Sequence, residues 1–467
     1  MAKPSEILIS RFPHNPTEGQ KQLFILFDHF LKKDAEEPEV LILKGYAGTG
    51  KTSIVSALVK TLPFLNLKSV LIAPTGRAAK VMSLYAQHPA LTIHKKIYKQ
   101  IADPHSGILQ FKKMKNYHKN TVFMVDEASM LTDKSEAGGN SLLNDLISYI
   151  FQDSSNKLIL IGDIAQLPPV GQYESPALDL HYLKKNYLLK VIEFLLSEVM
   201  RQEANSGILN NATRLRNLLN NNSFQIKFTT AGYPDIFRMN SEKMEDGLRY
   251  TYDKYGAENT IIICRSNKTA VQYNQYIRRV IFYYENEIEA GDILMIVKNN
   301  YSVLPEDSPV DFLANGDFVE VMKIINFEEN HGLRFATLHL KFVDYPEQEP
   351  FEAKVILDSL YTPTPALPDT KMRDLYEQVL KELEDINQKK KKLEMIRQDQ
   401  YLNALQIKFA YALTCHKAQG GQWKAVFVDQ GYLKEEMIDR EYIRWLYTAI
   451  TRATDVLFFV NFSGNFF

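Results

Sequence analysis

The eight residues from Gly45 to Thr52 have the composition and spacing of a phosphate-binding loop. They read Gly-Tyr-Ala-Gly-Thr-Gly-Lys-Thr and fit the pattern G-x-x-x-x-G-K-[ST]. In such a loop, backbone N–H groups wrap phosphate oxygens, the lysine reaches the β- and γ-phosphates, and the last hydroxyl holds Mg²⁺. The sequence therefore predicts that a nucleotide binds at the following residues: Gly48, Thr49, Gly50, Lys51, Thr52 and Ser53.

The segments on either side of this loop favour the same interpretation. The apolar run 40–43 before it is typical of a buried strand, and residues 53–59 after it have helical spacing. A strand, a glycine turn and a helix in this order point the helix N-terminus at an anion. The alternative is a glycine turn that binds no ligand.

Two further polar clusters follow buried runs. Asp126 and Glu127 come directly after the run 122–125, and Gln166 follows the run 158–161. One carboxylate of the acidic pair can hold the water shell of Mg²⁺, and its neighbour can orient and deprotonate an attacking water. Gln166 is in a position to sense a γ-phosphate.

The elements that must position these side chains form a repeated pattern. Four apolar runs, each ending in a polar cluster, alternate with helical segments, which predicts a parallel sheet with its chemistry at the carboxyl ends of the strands. A second set of runs lies at 260–264, 407–412, 426–428 and 456–460, without a second glycine loop. We predict an α/β protein with two similar parallel-sheet domains, 1–200 and 201–467, that share one nucleotide site.

Two insertions interrupt this pattern. Residues 96–120 are rich in lysine and predict a hairpin or loop, which is either a solvated insertion or a basic, partly aromatic finger on nucleic acid. The stretch from about 290 to 405 begins with alternating runs that predict a small β-barrel. Residues 371–406 then read as one long helix, either a solvated arm or an arm that contacts nucleic acid or a partner. Residues 190–220 also look helical.

Length and composition exclude some classes of protein. The 467 residues suggest about two to four domains, and no apolar stretch approaches the roughly 18 residues needed to span a bilayer. The first residues lack a signal-peptide core, so we expect a cytoplasmic protein. Two cysteines exclude a disulfide framework and a cysteine-rich metal site. The net charge of −1 neither supports nor excludes nucleic acid.

The ordered motifs resemble superfamily 1 helicases of the B group, especially the RecD-like and Dda-like enzymes. The resemblance extends over nearly the whole chain, through blocks at 16–20, 45–52, 73–80, 92–95, 126–130, 162–170, 201–202, 411–420 and 447–453. It implies two RecA-like domains in tandem. It also implies a β-hairpin pin inserted in the first domain at 96–120 and an SH3-like barrel in the second at about 290–405. The helical stretch at 371–400 is longer than such a barrel requires.

The resemblance also implies a reaction, in which ATP hydrolysis drives movement along single-stranded DNA and unwinding of the duplex ahead. Lys51 and Thr52 would bind ATP and Mg²⁺ against Asp126, and Glu127 would activate water. The block at 16–20 resembles an adenine-reading motif, which would make Gln20 a contact to the base. The remaining residues implied at the ATP site are Gln166, Arg201, Gly420 and Arg452, with both arginines reaching the γ-phosphate.

The implied partners are single-stranded DNA and junctions between single- and double-stranded DNA. We expect the protein to be a monomer, and the resemblance implies that it moves along the single strand in the 5′-to-3′ direction. No protein partner is indicated. The candidate DNA contacts are Pro74, Thr75, His94, Pro168, Thr414, His416 and Lys417. Two alternatives stay open: a translocase that does not unwind productively, and a nucleotide-gated DNA-binding scaffold that hardly turns over. A small-molecule kinase is disfavoured, and the residues do not decide between DNA and RNA.

Overall fold

The protein consists of two parallel sheets, a closed barrel and a small hairpin. The computed structural model describes residues 3–32, 37–102, 109–134, 140–199, 205–221, 223–300, 302–304, 312–345, 347–386 and 388–467. We call the first sheet with its helices the first lobe, and the second sheet with its helices the second lobe. The predicted fold class is confirmed.

The first lobe is built on a six-stranded parallel sheet. Its strands are β1 (Glu39–Gly45), β2 (Lys68–Ala73), β3 (Ala90–Thr92), β6 (Thr121–Val125), β7 (Lys157–Gly162) and β8 (Lys190–Leu196). Their order across the sheet is β3-β2-β6-β7-β1-β8. Because the central runs are buried on both faces, they read in the sequence as continuous apolar segments rather than alternating ones.

Helices cover both faces of this sheet. They are α1 (Pro4–Arg11), α2 (Glu18–Phe30), α3 (Lys51–Thr61), α4 (Gly76–Ala86), α5 (Ile93–Ile97), α6 (Leu142–Ile150) and α7 (Leu180–Tyr187). One apolar cluster lies on the face covered by α1 to α4, and another on the face covered by α5 to α7. Thr17 caps α2 by accepting from Gln20 N.

The predicted hairpin rises from the end of α5. Its antiparallel strands are β4 (Tyr98–Ala102) and β5 (Leu109–Lys113), and Tyr98 pairs with Lys113 at the base. The tip at 103–108 lies outside the described residues.

The second lobe has a five-stranded parallel sheet in the order β16-β10-β17-β18-β9. Its strands are β9 (Ile236–Met239), β10 (Thr260–Cys264), β16 (Ala412–Thr414), β17 (Trp423–Asp429) and β18 (Ala453–Val460). Its helices are α8 (Gly207–Asn220), α9 (Met244–Tyr255), α10 (Asn267–Tyr276), α14 (Cys415–Ala418) and α15 (Arg440–Ile450). The predicted domain boundary at residue 200 falls between β8 and α8, outside the described residues, and stays a prediction.

The predicted barrel is closed and lies between β10 and β16 in the chain. Its strands are β11 (Ile293–Ile296), β12 (Phe318–Asn330), β13 (Leu333–Phe342), β14 (Phe351–Ile356) and β15 (Leu405–Phe409). Neighbouring strands are antiparallel except for the pair β14–β15, which is parallel. Between β14 and β15 the chain forms α11 (Asp358–Tyr361), α12 (Asp369–Glu382) and α13 (Lys389–Gln398).

Three sequence-based assignments are wrong in detail. The run 407–412 does not form one strand of the second sheet, because its first part completes the barrel as β15 and the second sheet resumes at β16. The stretch 190–220 is not wholly helical, since it starts with the edge strand β8. The predicted long helix at 371–406 is two helices, and Leu375 and Val379 of α12 are buried against the barrel residues Leu333, Phe335 and Ile356.

Among the described residues, no helix is both long enough and apolar enough to cross a membrane.

Candidate ATP site and DNA contacts

A cleft of about 420 Å³ lies between the two lobes at the ends of their strands. This volume is within the range of about 300–1,000 Å³ that ligand sites usually have. The cleft brings together ten of the predicted residues: Gly48, Gly50, Lys51, Thr52, Ser53, Asp126, Glu127, Gln166, Gly420 and Arg452. Lys51 and Arg452, which come from different lobes, therefore face the same space.

The glycine loop has the backbone conformation that phosphate binding requires. Gly48 and Gly50 have φ values of 74° and 81°, which favour glycine because a Cβ is strained there. Lys51 begins α3, and its ammonium group donates to the carbonyls of Gly45 (2.7 Å) and Tyr46 (2.9 Å). The loop thus places a helix N-terminus and a lysine at one end of the cleft.

Gln20 supports this loop from behind and does not line the cleft. It is fully buried; its Nε2 donates to the Thr49 carbonyl (3.0 Å), and its Oε1 accepts from Thr17 N (2.9 Å). Both ends of the amide are therefore used within the protein. From this position Gln20 can hold the glycine loop in place, but it does not reach the cleft.

Asp126 and Glu127 stand at the end of β6, on the wall of the cleft. Burial raises the pKa of Asp126 to about 6, and the negative charge of Glu127 acts in the same direction. Glu127 has a φ of 51°, and its N–H donates to Asp126 Oδ1 (2.8 Å). The left-handed backbone turns the chain sharply after the strand, so both carboxylates can face the cleft.

Glu127, Gln166 and Arg452 form a contact across the two lobes. Arg452 Nη1 lies 3.6 Å from Glu127 Oε1. The Gln166 amide is oriented by its partners: its nitrogen donates to Glu127 Oε2 (3.2 Å), and its oxygen accepts from Arg452 Nη2 (2.9 Å). Arg452 Nη1 also donates to the Gly421 carbonyl (3.2 Å), which fixes the guanidinium group in the second lobe.

A second contact between the lobes involves residues to which the sequence analysis gave no role. The Tyr447 hydroxyl donates to Asp163 Oδ2 (2.6 Å) and accepts from Ala47 N (2.8 Å) of the glycine loop. Burial raises the pKa of both Asp163 and Tyr447. Asp163 follows a strand just as Asp126 does, so the strand-end argument could have identified it, whereas nothing in the sequence pairs it with Tyr447.

Further cleft residues were also missed. Tyr46 lines the cleft, and Arg216 of α8 lies over its ring at 4.4 Å. Ser206, at the start of the same helix, is another lining residue. None of these has a distinctive local sequence pattern. Arg201, predicted at the γ-phosphate, lies outside the described residues.

The donor groups of the cleft fit ATP and Mg²⁺. The loop supplies backbone N–H groups and an ammonium group, which suit phosphate oxygens. Thr52 and Asp126 supply a hydroxyl and a carboxylate, the oxygen ligands that Mg²⁺ prefers. Lys51 and the loop would hold the phosphates, and Thr52 and Asp126 would hold Mg²⁺.

Four of the predicted DNA contacts lie at or near strand ends of the first lobe. Thr75 caps α4, with its Oγ1 accepting from Ala78 N (3.2 Å), and Pro74 precedes it. Pro168 is half-buried in the segment after β7. His94 is in α5, with its ring 5.7 Å from that of Tyr98.

The other three belong to the second lobe. Thr414 ends β16, and His416 is exposed in α14. Lys417 donates to Asn315 Oδ1 of the barrel (2.6 Å), and burial lowers its pKa to about 8. The lobes meet closely here, because a Cβ at Gly420 would lie 3.1 Å from Thr75 Oγ1.

Helix α4 connects the first lobe to both the barrel and the second sheet. The Arg77 guanidinium lies between the rings of Phe318 (4.5 Å) and Trp423 (4.3 Å), and its Nη2 donates to the Glu258 carbonyl (3.3 Å). Lys80 forms an ion pair with Asp344 of the barrel (3.2 Å). Because Ala78 of α4 lines the cleft, one helix contacts the nucleotide site and the barrel together.

Comparison with known families gives a match in each lobe. Residues 31–172 match the family described as AAA domain, and residues 409–460 match the UvrD-like helicase C-terminal domain. The first match contains the glycine loop, Asp126, Glu127 and Gln166. The second contains Gly420 and Arg452, so the two matches cover both walls of the cleft.

Several known proteins are similar to the chain. An uncharacterised protein of Acanthamoeba polyphaga mimivirus is 26% identical over 498 residues, covering 90% of this chain and 95% of that protein. The ATP-dependent DNA helicase dda of Enterobacteria phage T4 is 25% identical over 319 residues, 66% of this chain and 67% of the phage protein. A crystal structure of Pif1 helicase from Bacteroides with ADP-AlF3 and ssDNA covers 96% of this chain and 94% of its own, with 14% identity and a TM-score of 0.47.

Proposed function

We propose that this chain, a member of the superfamily 1B helicases, uses ATP hydrolysis to move 5′-to-3′ along single-stranded DNA and to separate the duplex ahead of it. The contact among Glu127, Gln166 and Arg452 carries this proposal. It joins the predicted water-activating carboxylate of one lobe to the predicted arginine finger of the other, across a single cleft.

Each of these side chains has a distinct part in the hydrolysis. Lys51 and the loop amides bind the β- and γ-phosphates of ATP, the substrate. Glu127 orients water and takes its proton as the new O–P bond forms and the bond to the leaving ADP breaks. When bound, Mg²⁺ neutralises charge on the phosphates. The Arg452 guanidinium stabilises the charge of the transition state, an effect typically worth about 10³–10⁵ in rate.

The position of Arg452 explains how hydrolysis can drive movement. Because Arg452 belongs to the second lobe and Glu127 to the first, the reaction needs both lobes against the nucleotide. Opening after hydrolysis separates DNA contacts of the first lobe, such as Thr75, from those of the second, such as His416. A change in the distance between the two grips moves the strand.

The proposed DNA contacts come from both lobes. Pro74, Thr75, His94 and Pro168 in the first lobe, and Thr414, His416 and Lys417 in the second, would hold backbone phosphates and a few bases. Such contacts tolerate any sequence and weaken with salt.

We further propose that Arg201 assists at the γ-phosphate and that Gln20 holds the glycine loop. We also propose that the protein acts as a cytoplasmic monomer.

Unwinding of tailed duplexes tests the proposal. With ATP, a duplex with a 5′ single-stranded tail should be unwound, and one with a 3′ tail should not. Glu127→Gln should bind ATP and DNA but unwind neither. Unwinding from the 3′ tail would overturn the direction.

The same assays decide between the alternatives. DNA-stimulated phosphate release without unwinding of either substrate would favour a translocase. The absence of stimulated phosphate release would favour a nucleotide-gated scaffold.

A further inference from the structure

A strongly basic groove lies at the base of the hairpin, apart from the ATP cleft. We call it the lysine groove; it has a volume of about 610 Å³. Six lysines line it together with three ring-bearing side chains: Lys95, Lys96, Lys99, Lys112, Lys113, Lys115, Tyr117, His118 and Tyr149. Among the described residues, none that lines the ATP cleft also lines this groove.

The positive charge of the groove is only partly compensated. Lys113 forms an ion pair with Asp145 (3.1 Å). In the part of the chain that the structure describes, Lys96, Lys99, Lys112 and Lys115 have no carboxylate within ion-pair distance. Several like charges held around one concavity repel each other and attract a polyanion.

One lysine is held in place by a neutral partner. Lys96 is partly buried and donates from Nζ to His118 Nε2 (2.8 Å). Burial, with Lys96 and Lys68 nearby, lowers the pKa of His118, so the imidazole stays neutral and can accept this bond. The ammonium group of Lys96 is therefore held in one position in the groove.

An exposed aromatic ring stands beside the lysines. Tyr117 is 81% exposed, and Lys115 Nζ lies 5.6 Å from its ring centroid. Cations along a groove with an aromatic platform are the usual means of holding single-stranded nucleic acid, since phosphates meet the cations and a base stacks on the ring.

We propose that the lysine groove binds the second DNA strand, the one that the hairpin separates from the strand held by the two lobes. This inference rests on the proposed helicase function. His94 and Lys96 are two residues apart on α5, hence about 200° apart around the helix. His94, the predicted contact to the strand held by the two lobes, and Lys96 of the lysine groove thus lie on opposite sides of α5. The hairpin follows directly after the end of this helix.

A charge-removing variant with a matched control tests the groove. The groove variant carries Lys99→Gln, Lys112→Gln and Lys115→Gln, all at exposed positions. The control carries Lys60→Gln, Lys184→Gln and Lys185→Gln, which are exposed lysines of the same lobe away from the groove. Both lose three charges, so a general electrostatic effect would appear equally in the two.

Binding without nucleotide is compared on two DNAs, a fork with both tails and the same duplex with only the 5′ tail. On the fork, the groove variant should bind about tenfold more weakly than wild type, and its salt slope should fall by about 2 (three contacts at about 0.7 each). On the 5′-tailed duplex and single strands, affinity should change by less than about twofold. The control should match wild type on all of them.

Stacking is tested separately at the aromatic ring. Tyr117→Ala should weaken binding to the fork, and Tyr117→Phe should not, because stacking needs the ring and not the hydroxyl.

Loss of affinity by the groove variant on the 5′-tailed duplex as well would overturn the assignment to the separated strand. No loss on the fork would overturn the groove as a binding site.

The outcomes also separate this inference from the proposed function. The fork measurement needs no ATP, so it decides the groove even if wild type fails to unwind. The groove variant should keep DNA-stimulated ATP hydrolysis on single strands while it loses affinity for the fork. That result would show that the ATP site and the groove act separately.

Discussion

At the scale of single residues, the most telling feature is the backbone of Glu127. A φ of 51° is unusual for a side-chain-bearing residue and typically costs about 1–3 kcal/mol. The hydrogen bond from its N–H to Asp126 Oδ1 and the one from Met130 N to its carbonyl (3.0 Å) hold the turn. The protein thus maintains strain at the residue that would activate water, and Gln166 and Arg452 then fix the carboxylate.

Removing the guanidinium of Arg452 should abolish hydrolysis while ATP still binds. We expect Arg452→Ala to lower the rate of DNA-stimulated phosphate release by about 10³ or more, with ATP affinity changed only a few-fold. Arg440→Ala, at the start of the helix α15 that precedes Arg452 and outside the cleft, is the control. Retained turnover in Arg452→Ala would contradict the assigned role.

Gln20 allows a test of base recognition against loop support. Because both ends of its amide bond to the protein, we expect Gln20→Ala to weaken ATP and GTP binding by similar factors. Equilibrium titration with both nucleotides measures this. A loss confined to ATP would instead show that the side chain reads adenine, as the resemblance implies.

At the scale of elements, the strands that carry the chemistry could be predicted and their partners could not. The central strands of the first sheet are short apolar runs, and β1, β6 and β7 are each followed by a polar cluster that reaches the cleft. The edge strand β8 is half-exposed, and its apolar residues also satisfy helical spacing, so the pattern predicts a helix there. β15 is apolar throughout, and nothing in such a run says which sheet it joins.

The same limit applies to the candidate site. Glu127, Gln166 and Arg452 could be proposed because local motifs contain them. Tyr447 and Asp163 are 284 residues apart, and Arg77 stacks on two rings that are both distant in the chain. Contacts between lobes depend on how the lobes pack, which local patterns do not encode.

The contact of Arg77 with Phe318 and Trp423 should stabilise the packing of helix α4 against the barrel and the second sheet. A buried cation between two rings contributes about 2 kcal/mol or more. We expect Arg77→Ala to speed hydrogen exchange at the starts of β12 and β17, where Phe318 and Trp423 lie. Arg11→Ala, which removes a cation near the Phe64 ring in the first lobe, is the control and should leave both segments unchanged.

At the scale of the whole molecule, stability should depend on a buried carboxylate between the barrel and the first lobe. A Cβ at Gly76 would lie 2.3 Å from Asp317 Oδ1, so the two parts are in close contact here. Burial raises the pKa of Asp317 to about 7; Ala314 N and Lys95 act against this, and Asp344 adds to it.

The sign of the pH effect follows from this raised pKa. Because the folded protein holds the proton more tightly than the unfolded chain, the stabilisation is fully present below the unfolded pKa of about 4. It is lost as the pH rises through about 7. Asp317→Asn keeps an acceptor for Ala314 N without the charge, so it should raise the unfolding temperature at pH 8 by a few degrees. It should have little effect at pH 4.5, and a fall in unfolding temperature at pH 8 would contradict this account.

The barrel leaves and re-enters the second lobe at nearly the same point. Leu294 of its first strand pairs with Phe409 of its last, and Ala410 N donates to the Ile293 carbonyl (2.9 Å). Because the two ends of this segment touch, excising it as a cassette leaves a gap that a short peptide bridge can close. The motor core and its accessory module can therefore diverge at different rates, and grafting this cassette onto a related scaffold is an engineering route that the geometry permits.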